Sequence, residues 1–392
     1  MTEINEGNVV VRIITRLNVG GPAKHVFWVS EGLNKRSWNN ILVYGSVESD
    51  EHQIEVTGKP VYSLFVKHMV RRISPLNDLK SIHGIYKTLR HHKPTIIHTH
   101  TAKAGMVGRA AALLYKVFHD HNVKVVHTFH GHSFHGYFSK WKHRFFLSIE
   151  RTLARSISDA IITISRQQQD EILKTYKVGS RKKHHIIPLG IDTSFVDRLD
   201  KHSLRSQLNI EGGDRVFGIV GRIATVKNHH LFISSIIEFN KLKNERCHFV
   251  VVGSGADLEI QELEDYARDN NVQNIHFIGN QTDPAFFYGA LDYLVLTSKN
   301  EGTPVCILEA FAAEIPVIST PAGGVVDLLG NNERGLIAQP LASDLALQYQ
   351  YALDHDLTEM TARAKQFVFS KYTLEKLTDN LENLYQNLLG QT

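Results

Sequence analysis

Short apolar runs alternate with helix-length amphipathic segments from one end of the chain to the other. In the first half these runs are VVVRIITRL, NILVYGS, TIIHTHT, VKVVHTFHG and AIITIS; in the second, VFGIVGRI, CHFVVVGSG, IHFIGN, YLVLTS and IPVIST repeat the rhythm. Near-continuous apolar runs rich in β-branched residues mark strands covered on both faces, the condition of a parallel sheet. Between them, residues 78–92, 102–117, 227–243 and 257–270 have helical length and periodicity. Alternating strands and helices with right-handed crossovers predict a doubly wound α/β sheet in each half.

Pro188 and Gly190 interrupt the run IIPLGIDTSF and place the boundary between the halves there. The expected organisation is a Rossmann-like domain over 1–190, a second over 191–372, and a terminal helix over 373–392. In that last segment Leu374, Leu377, Leu381, Leu384 and Leu388 recur at helical spacing, so the helix has an apolar stripe to bury. Crossing back to the first domain is one way to bury it. Open sheets bind ligands beyond the carboxyl ends of their strands, so two such domains facing each other would share one cleft.

A chain of 392 residues is long for a single core, which agrees with two domains. Apolar residues at 42% and charged ones at 21% are ordinary for a globular protein. Cys247 and Cys306 alone give no disulfide framework and no thiolate metal site. No run approaches the about 20 apolar residues of a membrane span, and the first residues lack the order of a signal peptide, so a cytoplasmic location is expected. The net charge of +4 hides an asymmetry: residues 1–190 hold 28 Lys+Arg against 13 Asp+Glu, and the remainder 16 against 27. A basic half attracts phosphates, an acidic substrate or an anionic membrane face, or is simply a solvated surface.

Chemistry concentrates in a few segments. In YLVLTSKNEGTPVCILEAF a strand runs into a loop holding Glu301 and then a helix holding Glu309. Thr303 followed by Pro304 is expected to cap and open that helix, leaving free N–H groups near Gly302 for phosphate or sugar oxygens. Ionised carboxylates accept paired hydrogen bonds from vicinal hydroxyls, which suits a sugar; the alternative is an ordinary βα unit with acidic residues at its helix start. In FGIVGRIATVKNHHLFI a strand ends at Gly221-Arg222 with Lys227 following, two cations able to grip a diphosphate. Gly20-Gly21 follows the first strand without the spacing of a dinucleotide fingerprint, and allows either a close ligand approach or a tight turn. HTFHGHSFHG supplies His127, His130, His132 and His135, but strand alternation sends His127 and His130 to opposite faces, so no metal site is expected. His132 and His135 read as a surface or packed loop. A basic stretch over 66–94 includes Lys67, Arg71 and Arg72, suited to an acceptor diphosphate or acidic lipid.

The segment EGTPVCILE resembles the donor-site motif of the retaining GT-B enzymes called glycosyltransferase family 4. That resemblance implies that Glu309 binds the nucleotide ribose and Glu301 the donor sugar. GRIATVK is similar to the family's Gly-Arg and Lys signature, implying that Gly221, Arg222 and Lys227 hold the donor diphosphate. Gly20-Gly21 resembles its glycine-rich loop near the donor phosphates, and Thr128-Phe129-His130 its Thr-x-His, implying that His130 faces the cleft near the donor sugar and makes a catalytic polar contact that orients the sugar or a developing charge. HTHTAKAGMVGRAA, HTFHGHSFHGYFS and the basic stretch resemble members that build bacterial surface polysaccharides. The likeness spans nearly the whole chain through three short strong motifs. One departure is Thr303-Pro304 in place of a frequent aromatic-Gly pair; proline donates no N–H, so contacts at that turn fall to Gly302, Thr303 or Val305.

The implied function is a retaining hexosyltransferase of GT-B fold. It would move a sugar from a nucleotide diphosphate, UDP-linked and with an N-acetylhexosamine among the candidates, to a lipid-linked saccharide. It would use no cofactor or dedicated metal, bind no nucleic acid, and touch the inner membrane face peripherally. A GT-B epimerase acting without acceptor is the nearest rival. A non-catalytic nucleic-acid or membrane-surface binder is another, and it leaves EGTPVCILE and GRIATVK unexplained.

Overall fold

Every residue of the first strand, β1 (Val9–Arg16), is buried except the last, which is half-buried. A strand so enclosed needs cover on both faces, and its helices provide it. The computed structural model describes residues 8–18, 21–47, 61–130, 140–242 and 246–391. The chain falls into two units, Met1–Gly190 with Leu374–Thr392, and Ile191–Thr373.

In the first unit β1 is followed by α1 (Gly21–Asn34), β2 (Asn39–Gly45), β3 (Tyr62–Phe65), α2 (Pro75–His92) and β4 (Ile96–His100). Then come α3 (Ala102–Phe118), β5 (Lys124–Phe129), α4 (Lys140–Ser156), β6 (Ala160–Thr163), α5 (Arg166–Asp170) and β7 (His184–Ile186). The strands form one seven-stranded sheet in the order β3-β2-β1-β4-β5-β6-β7, and its ladders are parallel. Alternation sorts the two faces. Val9, Val11 and Ile13 pack with Ile85, Leu89, Val107 and Ala111 of α2 and α3. Val10 packs on the other side with Val29 and Leu33 of α1 and with Leu377, Leu381, Leu384 and Tyr385.

The second unit runs α6 (Ser203–Gln207), β8 (Arg215–Val220), α7 (His229–Leu242), β9 (Cys247–Val252), α8 (Asp257–Asp269) and β10 (Ile275–Gly279). It continues with α9 (Pro284–Tyr288), β11 (Tyr293–Leu296), α10 (Val305–Ala312), β12 (Val317–Ser319), α11 (Val325–Leu329) and β13 (Leu336–Ile337). α12 (Ala342–Asp354) and α13 (Thr358–Lys371) complete it. Its six-stranded sheet, in the order β10-β9-β8-β11-β12-β13, is also parallel. Both orders reverse direction beside the first strand of the unit, between β1 and β4 and between β8 and β11. There the crossovers diverge to opposite faces and leave a crevice at the carboxyl ends. The way in and the way out of this unit are stitched together, since the Ile191 amide donates to Tyr372 O at 2.7 Å.

The last helix, α14 (Leu374–Leu389), buries Leu377, Leu381, Leu384 and Tyr385 in the interior of the first unit. Arg36 and Trp38 of that unit hold its outer side, through Arg36 with Asp379 and Glu382 and through Trp38 Nε1 donating to Glu382 Oε1 at 2.9 Å.

Candidate active site

At the switch point of the second unit, the loop after β11 turns Glu301 back toward the loop after β8. Lys227 Nζ and Ser298 Oγ both donate to Glu301 Oε1, each at 2.6 Å. Among the described residues Oε2 then receives no protein donor, which leaves it to accept from a ligand hydroxyl. Backbone ties hold this pose. Thr297 Oγ1 donates to Lys227 O at 3.1 Å and Asn228 O at 3.0 Å, and the Lys299 amide donates to Val226 O at 2.8 Å.

The loop of Glu301 is also pinned from behind, where the Gly324 amide donates to Glu301 O at 3.1 Å. A Cβ on Gly324 would lie 1.8 Å from Gly302 O, and one on Gly323, whose φ is +57°, would lie 2.2 Å from Glu301 O. Only glycine permits that approach.

Burial lowers the basicity of Lys227, but Cys306 and the bonded Glu301 outweigh it, so the net direction is up and the ammonium is charged. Arg222 is exposed, close enough for its charge to act on Lys227. Burial pushes the Cys306 thiol up to about 12, with Lys227 opposing and Glu301 and Glu309 adding to the rise. One buried thiol thus feels both carboxylates and the ammonium. Glu309 Oε2 accepts from Tyr288 OH at 2.8 Å, and that phenol also donates to Cys306 O at 3.2 Å. Arg222, Lys227, Glu301 and Glu309 are therefore brought together, with Gly221, Gly302 and Thr303 on the same loops and Val305 opening α10.

The helix start departs from expectation. α10 begins at Val305, and the capping position is Pro304, in extended conformation without a side-chain cap. Thr303 lies one residue too early to cap it. The proline's fixed φ of −70° fits an extended residue at this place, and the Ile307 amide returns to Pro304 O at 3.2 Å.

At the switch point of the first unit, register sets Arg12 of β1 beside His98 of β4, and His100 beside Thr128 of β5. Arg12 is fully buried, and its side chain meets His98 Nδ1 at 3.0 Å, His100 Nε2 at 3.4 Å and Asn40 Oδ1 at 3.2 Å. His100 Nδ1 lies 2.8 Å from His130 Nε2, and His25 of α1 stacks edge-on against His130 with centroids 4.8 Å apart. His127 lies on the other face, with Nδ1 2.8 Å from Thr99 Oγ1. Burial, aided by Arg12, lowers His130 to about 3. Burial likewise holds His25, His98 and His100 well below the ordinary value, with neighbouring imidazoles and Arg12 adding to it. The four imidazoles are thus uncharged at pH 7 beside the charged Arg12.

His25, His100 and His130 each bring a ring nitrogen within 4.8 Å of the others. Zinc would need those nitrogens about 2.0–2.1 Å from one ion. Instead two of them hydrogen-bond directly, and the permanent charge of Arg12 touches the group.

Gly21 opens α1, while Gly20, His132 and His135 lie outside the described residues. Lys67, Arg71 and Arg72 are exposed between β3 and α2, beside Ile73, Leu76 and Leu79, which are 51%, 74% and 64% exposed. Arg12, His25, His98, His100, Tyr288 and Ser298 escaped sequence reasoning. An arginine inside VVVRIITR was the available signal, together with histidines two apart in TIIHTHT, which share a strand face. His229 escaped it too: buried beside Lys227, with neither ring nitrogen bonded among the described residues, and lowered to about 4 by burial and then Lys227.

Two Rossmann-like units, each with polar side chains gathered at its switch point, define the molecule as an enzyme of the GT-B glycosyltransferase class. Residues 19–195 match the family model Glycosyltransferase Family 4, and residues 200–370 match Glycosyl transferases group 1. The chain belongs to these GT-B glycosyltransferases. It is 28% identical over 337 residues to the UDP-Gal:alpha-D-GlcNAc-diphosphoundecaprenol alpha-1,3-galactosyltransferase of Escherichia coli, covering 84% of each chain. It is 25% identical over 361 residues to the capsular polysaccharide biosynthesis glycosyltransferase CapM of Staphylococcus aureus, covering 88% of this chain and 91% of that one. Among solved structures, Anabaena HepE in complex with UDP superposes with a TM-score of 0.80 at 16% identity, over 96% of this chain and 99% of that one. A glycosyltransferase from Rickettsia africae gives 0.81 at 17% identity, over 99% and 100%.

Proposed function

We propose that this enzyme transfers a hexosyl group from a UDP-linked donor to a lipid-linked saccharide, with retention of anomeric configuration, in surface polysaccharide synthesis. The observation that carries the reading is the Lys227–Glu301–Ser298 constellation beside Arg222 and Glu309. It offers a carboxylate oxygen to sugar hydroxyls and cations to a diphosphate. Glu309, anchored by Tyr288, takes the ribose hydroxyls. The similar proteins support the donor and acceptor classes, since the Escherichia coli relative is a UDP-Gal:GlcNAc-diphosphoundecaprenol galactosyltransferase and the structural neighbour HepE is seen with UDP.

In this reaction the acceptor oxygen bonds to the anomeric carbon on the face from which the diphosphate departs. The anomeric C–O bond breaks, its electrons stay on the phosphate oxygen, and that oxygen takes the acceptor's proton. Charge on the leaving diphosphate is the main barrier, and fixed donors oppose it at about 2.7–4 kcal/mol each. Arg222, Lys227 and the α10 helix start fill that role, so no dedicated metal is assigned. Lys67, Arg71 and Arg72 beside exposed Ile73, Leu76 and Leu79 combine charge with apolar surface, the makeup of a peripheral contact with anionic lipid. Among the described residues no helix is long and apolar enough to cross a membrane.

A panel of nucleotide diphosphate sugars in thermal shift names the donor, because a ligand of the native state raises Tm. Incubation with lipid-linked acceptors, read by the anomeric coupling of the product, follows. Transfer with retention, unaffected by EDTA, is expected. Inversion, or turnover of donor alone to its epimer, would remove the reading.

A further inference from the structure

Guanidinium groups only donate hydrogen bonds, so every ring nitrogen that meets Arg12 presents a lone pair to it. That requirement fixes His100, whose Nε2 lies 3.4 Å from the Arg12 guanidinium. A neutral imidazole with a lone pair on Nε2 carries its proton on Nδ1. His100 Nδ1 therefore donates across 2.8 Å to His130 Nε2. The same rule, applied once more, puts the proton of His130 on Nδ1. That atom is buried and has no partner among the described residues, although buried donors are nearly always paired.

His98 occupies the other end of the network. Its Nδ1 lies 3.0 Å from Arg12 and 2.5 Å from Tyr385 OH, and its Nε2 lies 2.7 Å from Thr128 Oγ1. Nδ1 accepts and Nε2 donates, so His98 is the opposite tautomer to His100. Asn40 accepts from the far side of the guanidinium at 3.2 Å. Arg12 is thus held on three sides and cannot turn away from His100 without leaving buried partners unpaired.

We propose that Arg12 and His100 are positioning residues that hold His130 as its Nδ1–H tautomer, an uncharged hydrogen-bond donor set toward a ligand oxygen at the carboxyl end of β5. The identity of that oxygen rests on the transfer reaction proposed above; the tautomer does not. The opposite tautomer would offer that oxygen a lone pair and repel it. A donor fixed in advance needs no reorganisation as charge develops on the substrate.

Long-range proton–nitrogen correlation spectra of the full-length enzyme labelled with nitrogen-15 histidine read the tautomer directly, with His130 assigned from the signals lost in His130→Asn. At pH 7 without substrate, a protonated Nδ1 and a bare Nε2 are expected; a protonated Nε2, or an imidazolium, overturns the assignment. The functional arm compares His100→Phe with His100→Asn, whose amide N–H group falls near the place of the lost Nδ1–H. His100→Phe is expected to lower kcat by about 10–100-fold with a smaller change in the donor KM, and His100→Asn to recover most of it. Equal losses in the two variants, or none in His100→Phe, would refute the relay. Because the spectrum needs no turnover, the two readings fail separately. An Nε2–H His130 in an enzyme that transfers sugar sinks the relay alone, and an Nδ1–H His130 in one that transfers none sinks the reaction alone.

Discussion

Glu301 receives two donors on one oxygen and leaves the other open, so its carboxylate is oriented before any ligand arrives. Orientation of that kind is what a sugar site requires, because a hydroxyl accepts as readily as it donates and does not by itself fix direction. Arg222→Ala and Glu309→Ala should weaken donor binding or kcat/KM by about 10²–10³-fold, with thermal melting unchanged within a few degrees. Wild-type kinetics in both would remove them from the site. These residues were legible in the sequence because each stands at a strand end or helix start in a recognisable segment. Arg12, His25 and His100 were not. A buried arginine looks like noise in an apolar run, and only the pairing of β1 with β4 reveals that it faces two histidines. Long-range register is a tertiary property that local periodicity does not carry.

Among the elements, the long apolar strands and the longer helices were readable, and the short ones were not. The helix expected over 78–92 begins at Pro75, a residue suited to a first turn. β3 buries none of its four residues fully, and α9 and α11 span five each, too little for a period to register. Another hidden feature joins α3 to α4. Arg109 is fully buried and donates to both oxygens of Glu150 at 2.7 and 2.6 Å, and its Nε donates to Gly105 O at 2.7 Å. Removing one member of such a pair leaves a charge buried alone. Glu150→Ala should therefore cost about 3–5 kcal/mol in urea unfolding, well above the about 1 kcal/mol expected of an exposed pair such as Arg246 with Glu211. A loss below about 1 kcal/mol would show that water reaches the guanidinium.

At the scale of the molecule, buried neutral imidazoles tie stability to pH. Their unfolded value is 6.5, and in the folded chain His130 sits near 3 and His229 near 4, with His25, His98, His100 and His127 also well depressed. Between those values the unfolded chain binds protons that the native one refuses. Stability is thus complete above about pH 6.5 and declines as pH falls, by about 1.4 kcal/mol per pH unit for each imidazole that stays neutral. Tm should drop steeply from pH 6.5 to pH 4.5, and His127→Gln should flatten the slope; a Tm independent of pH over that range would contradict the burial of these rings. The basic character of residues 1–190 was plain in the sequence, whereas its use was not, since composition does not say which charges are enclosed and which meet solvent.

The discontinuity of the first unit has a consequence for how the protein is made. Leu377, Leu381 and Tyr385 are translated after the whole of Ile191–Thr373, yet they complete an interior that begins at Val10. On the ribosome the earlier unit must wait, with one side of its sheet covered only in part by α1, while the later and uninterrupted unit settles ahead of it. Released chains truncated after Thr373 should yield to protease within residues 61–130 before they yield within 191–373; equal resistance would mean that the first sheet closes without its final helix.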